Sequence, residues 1–154
     1  MPIQEQTMID AIMHTRGQVD FLWQFFVTVQ LAIFALLFIY DDAVDGMNRT
    51  ARGLAIIAFG MFDWINGHAL RGCYGLLDAL HQQYRADYGQ ASRFQPALYE
   101  LFVQQRYEGK ETMLMLTHGL AFTVVMLALI WRQFIQHDDR LKRTNLAANN
   151  QSSI

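Results

Sequence analysis

The sequence predicts an all-α integral membrane protein built from three long antiparallel helices. We expect these helices at about residues 4–40, 49–88 and 96–137. The first observation behind this prediction is a run of 20 residues without a charge at 21–40, long enough to cross a bilayer as a helix. The second is that two further apolar runs follow, at 53–70 and 113–131. The third is that the intervening residues are polar, so each helix is expected to be half transmembrane and half outside the lipid.

The composition limits the class of protein before any motif is considered. Hydrophobic residues make up 53% of the 154 residues and charged residues 17%, whereas globular domains carry about 25% charged residues. The net charge of −2 gives no sign of a nucleic-acid partner, which would need a basic face, so we expect none. Cys73 is the only cysteine, which excludes an intrachain disulfide and a CxxC redox pair. This length predicts one domain, at residues 1–143.

Helix 1 is predicted to run unbroken from about residue 4 to residue 40. Residues 3–20 are amphipathic, because Met8, Ile9, Ile12 and Met13 fall roughly at helical spacing between charged residues. Before the apolar run only Gly17 weakens the helix. The first half of this helix is therefore expected to lie outside the membrane.

Helices 2 and 3 are bounded by turn signals. Asn48 or Thr50 is expected to begin helix 2, and Gly89 is expected to end it. Pro96 suits the first turn of helix 3, whose apolar half is the run at 113–131. The polar residues 144–154 are expected to form a disordered tail.

This arrangement predicts that all three polar halves lie on the same side of the membrane, because the chain passes up, down and up again. They would form a three-helix head from residues 1–20 and 71–112. The tail side carries basic residues close to the apolar runs, and the head side carries more acids than bases. The positive-inside rule then favours a cell inner membrane protein with a cytoplasmic tail and an outer head.

Six polar side chains fall within the apolar runs at two depths. Counting residues inward at 1.5 Å each places one layer near mid-bilayer and one near the outer interface. The deeper layer is Thr28, Asp63 and Thr123, and the outer layer is Gln24, His68 and His118.

Polar and small residues also share one stripe on each helix, which is expected to face protein rather than lipid. The stripes are Asp10, His14, Gly17, Gln24, Thr28 and Ala35 on helix 1; Gly60, Asp63, Asn66, Gly67, Tyr74 and His81 on helix 2; and Thr112, Leu116, Gly119 and Thr123 on helix 3. On helix 2, His68 lies about 140° around the axis from Asp63, so these two side chains are expected to face different neighbours.

Asp63 is the most informative residue, because a carboxylate in mid-bilayer is costly unless it is paired, protonated or hydrated. No Lys or Arg lies at its depth, and Arg71 is two turns away on the same helix. One interpretation is a proton- or cation-handling site with Asn66, Gln24, Thr28 and Thr123 beside it. The other is an interhelical polar clamp without transport.

His68 and His118 are candidate haem b ligands. They are predicted at similar depth on antiparallel helices, and imidazole is a common axial ligand of haem iron. Two histidines that are simply satisfied by hydrogen bonds near an interface would give the same pattern. A metal site from His14, His68 and His118 is weaker still, because the three lack a close spacing motif.

These features favour a non-enzymatic membrane subunit. No nucleophile with a base, metal cluster or carboxylate pair is apparent in the sequence. The subunit is expected to self-associate as a homo-oligomer or to pack with other membrane subunits in the lipid bilayer, with an ion- or proton-conducting path through Asp63. The alternative functions are a haem-binding electron-transfer subunit and a soluble helical bundle.

Overall fold

A computed structural model describes the backbone of residues 4–39 and 46–151 and the side chains of residues 4–37, 39 and 46–130. Every regular element in these ranges is helical. The elements are α1 (Glu5–Ile39), α2 (Arg49–Tyr88), a 3₁₀ turn (Ala91–Arg93), α3 (Pro96–Leu98), a π-helical turn (Tyr99–Val103) and α4 (Lys110–Gln151). The predicted start of helix 1 and both predicted bounds of helix 2 are confirmed to within a residue, and the predicted end of helix 1 at residue 40 lies outside the described residues. The Asn48 side chain caps α2 by accepting a hydrogen bond from the backbone N–H of Ala51 at 2.8 Å.

Three of these helices are long and apolar enough to cross a membrane. They cover Glu5–Leu37, Arg49–Tyr88 and Lys110–Ile130 in the part described, and each contains an 18-residue window of high hydropathy. Only 17% to 22% of the residues in their most hydropathic windows are buried within the chain. Most of this apolar surface therefore has no protein neighbour, which suits a lipid surrounding.

Helix α2 lies at the centre of the packing, because it contacts both α1 and α4, whereas α1 and α4 touch each other little. Two core clusters lie along it. The head cluster joins α1 and α2 to the segment after α2, and includes Met8, Ile12, Leu77, Tyr84 and Val103. The second cluster joins the apolar halves through Leu37, Phe59, Val125 and Leu129.

The prediction of a helix from residue 96 was wrong, because residues 104–109 are not helical and α4 begins only at Lys110. Two features explain the difference. The Arg85 guanidinium donates hydrogen bonds to the carbonyls of Val103 and Gln105, at 3.1 and 3.4 Å, which replaces helical bonding there. Gly109 adopts a φ of 80°, which other residues rarely adopt. The head therefore consists of two helices and a covering segment of residues 90–109, not of three helices.

The far end of α4 also differs from the prediction. The helix was expected to end near residue 137, with a disordered tail at 144–154, but the described backbone stays helical through Gln151. No glycine or proline follows Gly119, so nothing in this stretch breaks a helix. Residues 152–154 lie outside the described residues.

Candidate functional site

Asp63 on α2 is buried, with 7% of its surface exposed, and its carboxyl group contacts α1. The Gln30 side chain of α1 donates a hydrogen bond from Nε2 to Asp63 Oδ1 at 3.3 Å. The other carboxylate oxygen, Oδ2, is buried without a hydrogen-bond partner, as is Oε1 of Gln30. An unsatisfied buried oxygen is costly, so this carboxyl group favours a proton, a cation or another donor.

One helical turn along α2 toward the head, Asn66 joins all three long helices. Its Nδ2 donates to the backbone carbonyl of Leu22 on α1 at 3.3 Å. Its Oδ1 lies 3.1 Å from Nε2 of His118 on α4. The Asn66 amide oxygen and the Leu114 carbonyl, which lies 3.1 Å from Nδ1 of the same ring, can both only accept, so a neutral His118 ring donates to one of them at a time. Asn66 and His118 thus form an interhelical polar clamp directly above Asp63.

The ring of His118 is held on its faces as well as its edges. It stacks on Phe26 of α1 with ring centroids 4.0 Å apart, and Nδ1 lies 3.1 Å from the Leu114 carbonyl. The candidate haem partner His68 is instead exposed and stacked on Trp64. A haem iron at Nε2 of His118 would have to displace Asn66.

A groove of about 350 Å³ runs between α2 and α4, from the level of Asp63 to the head. Its walls are mostly apolar, and at its head end Arg71 and Glu111 form an ion pair at 3.3 Å. The α2 side is lined by Gly60, Asp63, Trp64, Gly67, His68 and Arg71, and the α4 side by Glu111, Leu114, Met115, His118, Gly119 and Phe122. The groove therefore brings Asp63 and both candidate histidines to one cavity.

Not every predicted site residue lies at this site. Gln24, Thr28 and Thr123 are exposed on the surface of the chain. The hydroxyls of Thr28 and Thr123 donate to the carbonyls four residues earlier, at 2.8 and 2.7 Å, so neither needs a partner on another helix. The predicted inward position of Gln24 and Thr28 on helix 1 was wrong, and Gln30 takes that position.

Burial within the chain agrees with the predicted inward stripe on α2 but not with those on α1 and α4. On α2, Asp63, Asn66 and His81 are buried as predicted. On α4 the predicted stripe is exposed, and the buried face is Leu114, His118, Val125 and Leu129. On α1 the buried face is Met8, Ile12, Thr15, Val19, Phe26, Gln30 and Leu37. Gln30 lies at the helical spacing of the large apolar residues on α1, so its buried position could have been predicted from the sequence.

The polar residues continue along α2 into the head. Trp23 donates from its indole N–H to the Tyr74 hydroxyl at 2.9 Å, joining α1 to α2. Farther along, His81 is 1% exposed and packs against the rings of Phe102 and Tyr107. Neither ring nitrogen of His81 reaches hydrogen-bond geometry, although the Phe102 carbonyl faces the ring.

The burial of His81 predicts a pH-dependent head. Burial lowers the pKa of His81 below its ordinary value of 6.5, and Arg16 and Arg85 add to this, against Asp78 and the Phe102 carbonyl. The unfolded chain then binds the proton more readily, so the free energy of unfolding falls as the pH drops below about 6.5, by at most about 1.4 kcal/mol per pH unit. Thermal unfolding between pH 8 and pH 5 measures this slope, and His81→Gln is expected to reduce it.

The matched control is His14→Gln, because His14 is exposed on α1. It is expected to leave the slope unchanged. Glu5 acts in a lower range, because its hydrogen bond to Arg93 lowers the pKa of this carboxyl below 4.5 and its contribution is lost only as the pH falls through that lower range. An unchanged slope in His81→Gln would contradict the assignment.

Comparison with known proteins gives no family assignment, since no protein-family model, curated protein or solved structure matches this chain. Within the described residues, no group of three His, Cys, Asp or Glu side chains is placed to hold a metal ion. His14, His68 and His118 are therefore not brought together as a metal site.

Proposed function

We propose that this protein is a non-enzymatic integral membrane subunit in which Asp63 takes up protons or small cations from the head side. The observation that carries this proposal is the buried Asp63 carboxyl group, which has one oxygen bonded by Gln30 and the other without a partner. Asp63 is also the only acidic residue in the three apolar runs. Acidic groups within membrane segments commonly mark ion or proton pathways.

The groove supports access to Asp63 from the head. It extends along α2 from Gly60 to Arg71, about 16 Å at 1.5 Å per residue, and Asp63 borders its deeper part. Asn66 and His118 lie one helical turn from Asp63 in the direction of the head. Groups with exchangeable protons therefore continue from Asp63 toward the head. These groups provide a polar route between otherwise apolar helices.

The proposed setting is the cell inner membrane, with the head on the outer side and the end of α4 in the cytoplasm. The basic residues near the ends of the apolar runs support this orientation through the positive-inside rule. The subunit would associate with a second copy or with other membrane subunits, since large side chains such as Ile57, Ile65 and Leu127 are more than half exposed. Their remaining contacts would be with lipid.

Proton flux into liposomes tests the role of Asp63. The full chain is reconstituted with a pH-sensitive dye inside the vesicles, and a potassium diffusion potential drives protons inward. We expect flux above that of empty liposomes, and a loss of at least about tenfold in Asp63→Asn. Asparagine keeps the size of the side chain and its bond to Gln30, but its amide group cannot be protonated and deprotonated as a carboxyl group can.

The matched control is Asp87→Asn at the end of α2, because Asp87 is exposed in the head and bonded only to Gln83. Its flux is expected to equal that of the unmodified protein. Flux that is absent, or that persists in Asp63→Asn, would refute the transport role. The mass of the detergent-purified protein then measures self-association separately.

A further inference from the structure

The groove between α2 and α4 is larger than a proton or a metal ion requires. Its volume of about 350 Å³ lies in the range of sites for small organic molecules. Glycines keep it open: a Cβ at Gly119 would meet no atom within 4 Å, so the space beside this residue is free. On the opposite wall, a Cβ at Gly67 would make an ordinary contact with the His118 ring, 3.5 Å from Cδ2. The free space in the groove can hold the apolar part of a small organic molecule.

The charges along the groove are not balanced. At the head end Arg71 and Glu111 pair with each other at 3.3 Å. Asp63 lies eight residues from Arg71, about 12 Å along the helix, and has no cationic partner. Its Oδ2 is buried and accepts no hydrogen bond. Of the two acidic residues that line the groove, Glu111 is paired and Asp63 has no partner of opposite charge.

The aromatic groups on the walls favour the same charge. Trp64 and His68 stack on the α2 side with ring centroids 5.5 Å apart, and Phe122 lies on the α4 side. Trp faces attract ammonium groups through the ring quadrupole, more strongly when water is excluded. A lipid acyl chain would fill the apolar space but would leave Asp63 without a partner of opposite charge.

We infer that this groove binds a hydrophobic amine, whose ammonium group pairs with the Asp63 carboxyl group once this side chain turns toward the groove, while its apolar body lies between Gly119, Phe122 and Trp64. The inference rests on the proposed function in that it uses the same carboxyl group. It adds a ligand class, an organic cation about the size of a substituted naphthalene. Binding would place a positive charge beside Asp63, the acidic residue of the groove that has no basic partner.

Binding of 2-(1-naphthyl)ethylamine to the full chain in nanodiscs tests this inference. The amine is followed by equilibrium dialysis, with empty nanodiscs subtracted, and 2-(1-naphthyl)ethanol serves as the neutral analogue. We expect saturable binding of the amine to the unmodified protein, at least about tenfold tighter than binding of the alcohol. In Asp63→Asn this preference is expected to disappear.

A second variant tests the groove without changing the carboxyl group. Gly119→Leu places a side chain in free space beside the groove, so the fold is expected to persist while amine binding falls at least about tenfold. Gly72→Leu is the control, because Gly72 also has free space around it but does not line the groove.

Two outcomes would overturn the inference: equal binding of amine and alcohol, or unchanged amine binding in Gly119→Leu. The proton-flux measurement separates the two proposals. Amine binding without flux would refute only the transport role, and flux without amine binding would refute only the ligand class.

Discussion

Replacing Leu77 with alanine is expected to lower the free energy of unfolding by about 2–5 kcal/mol, the usual cost of deleting a fully buried leucine side chain. Leu77 is 1% exposed and lies in the head cluster with Met8, Ile12 and Tyr84. The substitution leaves a cavity where α1, α2 and the covering segment meet, and the rigid helices close it only in part. Unfolding of the detergent-purified protein, followed by the loss of helical circular dichroism, measures the effect.

The neighbouring residue provides a matched control. Leu76 is 50% exposed on the same helix, and Leu76→Ala removes the same atoms from a surface position. Its effect is expected to stay within about 0.5 kcal/mol. If the two variants lost similar stability, the head cluster would not be the main source of packing energy in this half of the molecule.

Replacing Asn66 with alanine is expected to cost about 1–3 kcal/mol, because the side chain makes two interhelical hydrogen bonds and is 4% exposed. His118 Nε2 would lose its hydrogen-bond partner within a buried site. Unfolding in mixed micelles with increasing denaturing detergent measures the loss. The double variant with His118→Phe shows how much of the cost comes from this pair.

Gln24→Ala is the control for Asn66, because it also removes a side-chain amide from an apolar run but from an exposed position. We expect it to change stability by less than about 0.5 kcal/mol. Equal losses in Gln24→Ala and Asn66→Ala would mean that the bonds to Leu22 and His118 contribute nothing beyond those of a surface amide.

The sequence was sufficient to place the polar face of α2. Asp63, Asn66 and His81 share one helical face, and polar side chains in apolar surroundings need protein neighbours. The same reasoning failed on α1 and α4, where threonine hydroxyls such as those of Thr28 and Thr123 bond to their own helix. Polarity alone does not separate such residues from site residues. On α1 the periodicity of the apolar residues is the better guide, and it identifies Gln30.

The covering segment of residues 90–109 was beyond sequence-based prediction for a different reason. Its amphipathic pattern fits a helix, but Arg85 on α2 provides hydrogen bonds to the carbonyls of Val103 and Gln105. Whether the chain bonds locally or to a distant guanidinium depends on packing that the pattern does not contain. Tertiary contacts therefore override local propensity in this segment.

The central position of α2 has a consequence for how the chain assembles during synthesis. Because α1 packs on α2 and α4 packs on α2, each new helix meets a partner that has already been made. Assembly then needs neither a docking partner made later nor extensive closure between the first and last helices, and such local pairing favours rapid folding. The α1–α2 hairpin is complete first, and the arrival of α4 then forms both the groove and the bond between Asn66 and His118.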